Sequence, residues 1–203
     1  NTTGSTNVAV GYDSLLACTT GDDNVAIGDD ALKAMTTASD NTAVGAKAGD
    51  AVTTGASNVL MGKNAGGALT TGSNHVHIGD TAGDAMTTTS NSVAIGYGAL
   101  TASTVSDALT AVGFQAMTAH TTGTNSTAFG HKAMYSNTTG SSNTALGDSA
   151  LYWNTTSSDN TAVGRAALLK NTGASNTAVG KSALNQNTTG TENVAVGATA
   201  GDA

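Results

Sequence analysis

Residues 160–180, NTAVGRAALLKNTGASNTAVG, begin and end on the same five letters. The pentapeptide marks a period. Its closing glycine recurs as Gly11, Gly28, Gly45, Gly62, Gly79, Gly96, Gly113, Gly130, Gly147, Gly164, Gly180 and Gly197, at intervals of 17 residues with a single 16 between Gly164 and Gly180. Self-similarity at a fixed short period is the mark of a solenoid or an array. No stretch lies outside the twelve copies, so residues 1–203 read as one array without a linker or a second domain. Asn1 falls in mid-repeat, and the two ends would continue in phase. The expectation is a segment of a longer fibrous protein.

The residue before each glycine is large and apolar (Val10, Ile27, Met61 and Phe129 among them), the one before that is mostly Ala, and the next is Val or Thr. Such alternation fits a short strand with β-branched residues on one face and a small residue on the other. A glycine after it suits a backbone at positive φ or a place where a neighbouring chain comes too close for a Cβ. Ala follows three residues later in every copy but the first, then Leu or Met. In the AGDA and AGGA copies Gly stands there, and a bulky residue comes three places on, as Val52, Leu69 and Met86. Thr-Thr-Gly and Asn-rich segments close the repeat with turn chemistry. Segments such as ALLKN are too short to nucleate a helix. A strand, a corner, a second short apolar segment and a second corner make one coil of a parallel β-solenoid, all-β, with about twelve coils of 17 residues.

Composition narrows the function. Aromatic residues make up 3% of the chain and charged ones 10%, too little for an ordinary globular core. Each coil holds roughly two large apolar side chains, so ladder hydrogen bonds and burial against other copies must add to its stability, and an oligomer is expected. The net charge of −7, with seven dispersed cations, argues against a nucleic-acid partner and against an anionic membrane surface. No apolar run reaches membrane-spanning length. A lone Cys18 allows no internal disulfide.

NSVAIG (residues 91–96), with its relatives NVAVG and NTAVG, resembles the head repeats of trimeric autotransporter adhesins. The longer unit, NTTGSSNTALGDSALYW (residues 137–153), is similar to repeats of large bacterial surface proteins and phage tail fibres. The resemblance covers the whole chain, although the adhesin-head repeat is shorter than 17 residues. It implies a left-handed β-roll, three chains around one axis, and an extracellular place on a virion fibre or a bacterial cell surface.

Few residues stand out as chemistry. His75 and His77 lie two apart on a strand and so share a face. In a trimer, six imidazoles meeting on the axis would hold a metal ion, an arrangement that resembles the His-x-His iron sites of some phage fibres; no other cofactor is expected. Tyr135, Tyr152 and Trp153 form a local aromatic cluster suited to a host receptor or glycan, while Tyr12, Tyr97 and Phe114 read as single exposed rings. The acids of the GDD and AGDA segments read as solvated turn residues. Five Asn-x-Ser/Thr sequons, at Asn1, Asn125, Asn137, Asn154 and Asn187, follow mostly from the repeated NTT. The two breaks in the period, Thr101–Leu109 and the deletion near Gly173, hold no catalytic set, so no enzyme is expected. The leading function is a rigid structural or adhesive fibre. Ice binding through Thr columns and a head-to-tail extracellular filament are the alternatives.

Overall fold

The computed structural model describes residues 1–104 and 107–202. Each repeat contributes one three-residue strand: β1 (Val8–Val10), β2 (Val25–Ile27), β3 (Thr42–Val44), β4 (Val59–Met61), β5 (Val76–Ile78), β6 (Val93–Ile95), β7 (Thr110–Val112), β8 (Thr127–Phe129), β9 (Thr144–Leu146), β10 (Thr161–Val163), β11 (Thr177–Val179) and β12 (Val194–Val196). They form one parallel sheet in sequence order. Successive strands pair like with like, Val8 on Val25 and Ala9 on Ala26 at one end, Thr177 on Val194 and Ala178 on Ala195 at the other. The protein is a parallel β-solenoid of eleven full turns between first and last strand. At ~4.8 Å per step the stack is about 53 Å long.

The rest of each coil stacks as regularly as the strands. Leu15 N–H donates to Ala31 O, Leu32 to Ala48 O and Thr53 to Thr70 O, each one coil on. The glycine that closes each strand has φ between +126° and +141°. A Cβ on Gly45 would come within 2.6 Å of the Gly62 carbonyl oxygen, so conformation and close approach both demand glycine there. The second segment turns through two further left-handed positions. In the second of these Leu and Met are held at φ near +50° (Leu32, 48°; Met117, 51°), at about 1–2 kcal/mol each. Glycine replaces them at Gly49, Gly66 and Gly83 and removes that strain.

The interior is narrow, which decides what fills it. The middle residue of the strand points in, and it is Ala in most coils: Ala26, Ala43, Ala94 and Ala111 are fully buried. Facing it are the second Ala column (Ala31, Ala48, Ala65) and the Leu/Met column (Leu32, Leu100, Met117, Leu151). The large residue before each glycine points outward instead. The residue that opens the strand does likewise. A thin coil has room for a methyl group where a thicker solenoid would take Val or Ile.

Asparagine provides the interior's polar spine. Asn41 N–H and Nδ2–H both donate to Asn24 Oδ1 (3.0 and 3.2 Å), and Asn58 repeats this on Asn41 (3.1 and 3.0 Å). The same amide also reaches the next corner, Asn58 Nδ2 donating to Gly72 O at 3.1 Å. The ladder resumes from Asn143 through Asn160 and Asn176 to Asn193. A second ladder edges the corner, where Ser73 N–H donates to Ser90 Oγ and Ser90 N–H to Asp107 Oδ1. Turn chemistry at these Asn positions therefore becomes inter-coil bonding.

The single 16-residue interval leaves every inward column in register. Thr161 pairs with Thr177 and Ala162 with Ala178. What is missing is one of the two corner threonines, so Gly173 follows Thr172 directly. The other break, Thr101–Leu109, falls partly outside the described residues; of the rest, Ser103 and Leu109 are buried.

Candidate functional site

The outward face of the sheet is the most extended feature of the surface. Two columns run its length, Val8, Val25, Thr42, Val59, Val76 and Val93 continuing as Thr110 to Thr177 and closing on Val194, beside Val10, Ile27, Val44, Met61, Ile78, Ile95, Val112, Phe129, Leu146, Val163, Val179 and Val196. Ile27 and Met61 are 39% exposed, Leu146 46% and Phe129 52%. Strand pairing forces this. Residues that alternate with a buried Ala must emerge together on the other side, and identical registers line them up.

His75, just before β5, and His77 within it lie elsewhere than the sequence suggested. His77 occupies the buried Ala column and His75 the Asn column, and both are wholly inside the coil. Their rings sit 4.7 Å apart, tilted by 42°. Rings that converge on an axis between three chains must point outward, and these point inward. The Ala column faces the coil's own lumen, which corrects the expectation of a six-imidazole metal ring. Among the described residues no group of three or more His, Cys, Asp or Glu is placed to hold a metal ion. His75 and His77 are core side chains here. His77 takes the room left by glycines: a Cβ on Gly83 would lie 2.8 Å from its Nε2, and one on Gly66 3.3 Å from its Nδ1. Burial drives the His77 imidazole down to about 3, with the neighbouring His75 adding to the effect.

Tyr135, Tyr152 and Trp153 do come together. The tyrosine rings stack across adjacent coils at 5.1 Å, Trp153 meets Tyr152 edge-on at 4.8 Å, and the Lys132 ammonium lies 5.6 Å from the Tyr135 ring centre. A second ladder corrects the reading of single rings: Tyr97, Phe114 and His131 stack in three consecutive coils, 5.5 Å at each step. His131 Nδ1 in turn meets Asp148 Oδ2 at 3.0 Å. The sequence signal was there, three planar side chains at one 17-residue spacing. Tyr12, 76% exposed, has no ring partner among the described residues. The outer surface of the sixth to ninth coils thus carries both ring stacks.

The acids serve the corners. Asp22 Oδ1 accepts from Ser5 N–H (2.7 Å) and Ser5 Oγ–H (2.9 Å), and these bonds hold its carboxyl below the usual range. Lys33 bridges Asp30 and Asp13 on adjacent coils. Cys18 is buried and its thiol faces Gly21 O. Of the sequon asparagines, Asn137 and Asn154 are fully buried and Asn125 is exposed. At the foot of the stack a hollow of about 430 Å³ is lined by Leu184, Asn187, Gly190, Asn193 and Gly201. No helix is long and apolar enough to cross a membrane among the described residues.

No protein-family model, no curated protein and no solved structure matches the chain.

Proposed function

We propose that this chain is a non-enzymatic fibre segment, a rigid rod that assembles with copies of itself through the outward face of its sheet. The observation that carries the reading is the apolar column running from Val10 to Val196 on that face, beside a second column made up of Val and Thr. A row of large apolar side chains left partly or fully open to water in this way marks an association site. A strip repeated at every rung meets its own copy rung for rung, and three such strips closing on an axis form a trimer. That arrangement agrees with the adhesin-head and tail-fibre resemblance of the repeat, and with it a left-handed coil and an extracellular setting on a virion or a bacterial surface. The Tyr135, Tyr152 and Trp153 cluster lies on the outer surface as the contact for a host receptor or glycan. Against ice binding, Thr19, Thr53, Thr70 and Thr138 each spend a hydroxyl donor on the next coil's carbonyl.

Sedimentation equilibrium tests the proposal. A discrete trimer is expected for the natural chain, and a monomer with an unchanged circular dichroism spectrum for Ile95→Asp/Val112→Asp. A natural chain that stays monomeric at high concentration would contradict it. Open-ended polymers unaffected by the two substitutions would favour the head-to-tail filament.

A further inference from the structure

Three of the four histidines, His75, His77 and His120, are wholly buried, and all lie within the fifth to seventh coils. The fourth, His131, is on the surface with Asp148. Each buried imidazole stands in a column where a neighbouring coil has an uncharged residue, although Asn137, the counterpart of His120, also leaves both its side-chain polar atoms unpartnered. His75 takes the place of Asn58 in the Asn column and copies half of its bonding: Nε2–H donates to Thr89 O at 2.7 Å, which leaves Nδ1 as an acceptor without a partner. His77 replaces Leu60 or Ala, and neither of its nitrogens is hydrogen-bonded. His120 stands one coil before Asn137, again with both nitrogens unpartnered. Thr89 Oγ1 in the fifth coil and Ser103 Oγ in the sixth are also buried and unpartnered. In the same stretch Ser92, Leu109 and Ser126 replace asparagine, and the side-chain ladder thins to single bonds, Leu109 N–H to Ser92 Oγ at 3.5 Å and Asn143 N–H to Ser126 Oγ at 3.2 Å.

We propose that the coils carrying His75, His77 and His120 are an acid-sensitive hinge, a stretch of the stack that opens when these imidazoles take up protons while the coils on either side remain closed. His77 and His120, buried without a hydrogen-bond acceptor, have nothing to balance a positive charge, and His75 has the Thr89 carbonyl for one of its nitrogens. Burial lowers all three below the ordinary 6.5, His120 to about 4 and His77 to about 3. Opened coils expose imidazoles that titrate near 6.5. Below that pH the open form binds more protons than the closed one. The stability tied to neutral burial is therefore complete above 6.5 and drains away as pH falls toward 4 and then 3. Among the described residues, the Thr89 and Ser92 backbones and then Asp107 favour the charged form of His75 against its burial, and His75 opposes a charge on His77. Burial alone acts on His120, and no charged side chain among the described residues does. Asp50 and Asp84, pushed up by burial, titrate with the opposite sign, favouring the closed stack as pH falls.

Hydrogen–deuterium exchange of the intact chain between pH 7 and pH 4.5, corrected for the intrinsic rate, reads the hinge directly. Amide protection across residues 75–104 and 107–120 is expected to fall by up to about tenfold per pH unit for each histidine, with no such loss across residues 24–58 and 143–193. The variant His75→Asn/His77→Leu/His120→Asn places in each column a residue that an adjacent coil already holds there, as Asn58, Leu60 and Asn137. It keeps every acid and is expected to lose the local pH dependence. His120→Asn alone, which tests the idea should the triple variant not fold, is expected to reduce the slope by about tenfold per pH unit. Equal slopes in the natural and substituted chains, or protection lost evenly along the rod, would overturn the proposal.

Discussion

The Leu60 side chain fills the space that a Cβ on Gly49 would need: its Cδ1 lies 2.5 Å from that point, and its Cδ2 2.9 Å from the corresponding point on Gly66. Leu60 and His77 are the two large residues in a column of Ala, and both stand beside glycines in the facing column. Size has moved from one wall of the lumen to the other. Leu60→Ala is therefore expected to cost about 2–5 kcal/mol in chemical denaturation. Combined with Gly49→Ala the loss should be smaller than the sum, because the added methyl group enters the space that Leu60 leaves.

Glycines with different geometry should respond differently. Gly113 has φ +138°, and a Cβ there would run into the Gly130 backbone. Gly98 has φ +64°, and its nearest neighbour would be Thr101 Oγ1 at 3.5 Å. Gly113→Ala is expected to destabilise by about 3 kcal/mol or more, and Gly98→Ala by about 1 kcal/mol. Paired thermal melts of the two variants check this. Equal losses would mean that the coils do not stack at the glycine.

Removing an interior asparagine should cost more than removing a corner hydroxyl. Asn41→Ala strands the buried Asn58 N–H and deprives Gly55 O of its donor, an expected loss of about 2–6 kcal/mol. Ser39→Ala removes the acceptor of Asp22 N–H at a corner that water reaches, an expected loss under about 1 kcal/mol. Denaturation midpoints of the two variants, compared with that of the natural chain, supply the test.

The period, the strands and their parallel order were legible because each follows from one recurring unit, and a twelve-fold repetition leaves little freedom of register. Which face of the strand turns inward was not. Alternation between Ala26 and its neighbours Val25 and Ile27 is the same pattern whichever side is buried, and only the narrow lumen selects the methyl group. The placement of His77 followed from that choice, so the expected metal ring went with it. The Asn column was visible as a pattern, but its role was not, since asparagine suits an exposed corner as well as a buried ladder. The left-handed positions at Leu32 and Met117 were hidden for another reason. Neither residue prefers that conformation, and the stacked coil imposes it.

The central claim is that the backbone advances by one rung for every repeat. Electron–electron distance measurement between spin labels on Asp29 and Lys181, with labelled chain diluted into unlabelled, tests it most directly. Both residues follow an anchoring glycine, nine rungs apart in a single column. A narrow distribution centred at about 43 Å is expected from nine ~4.8 Å steps, falling to about 34 Å when the first label is moved to Lys63. A broad distribution, or a distance that does not shorten with the number of rungs, would contradict the stacked coil and everything built on it.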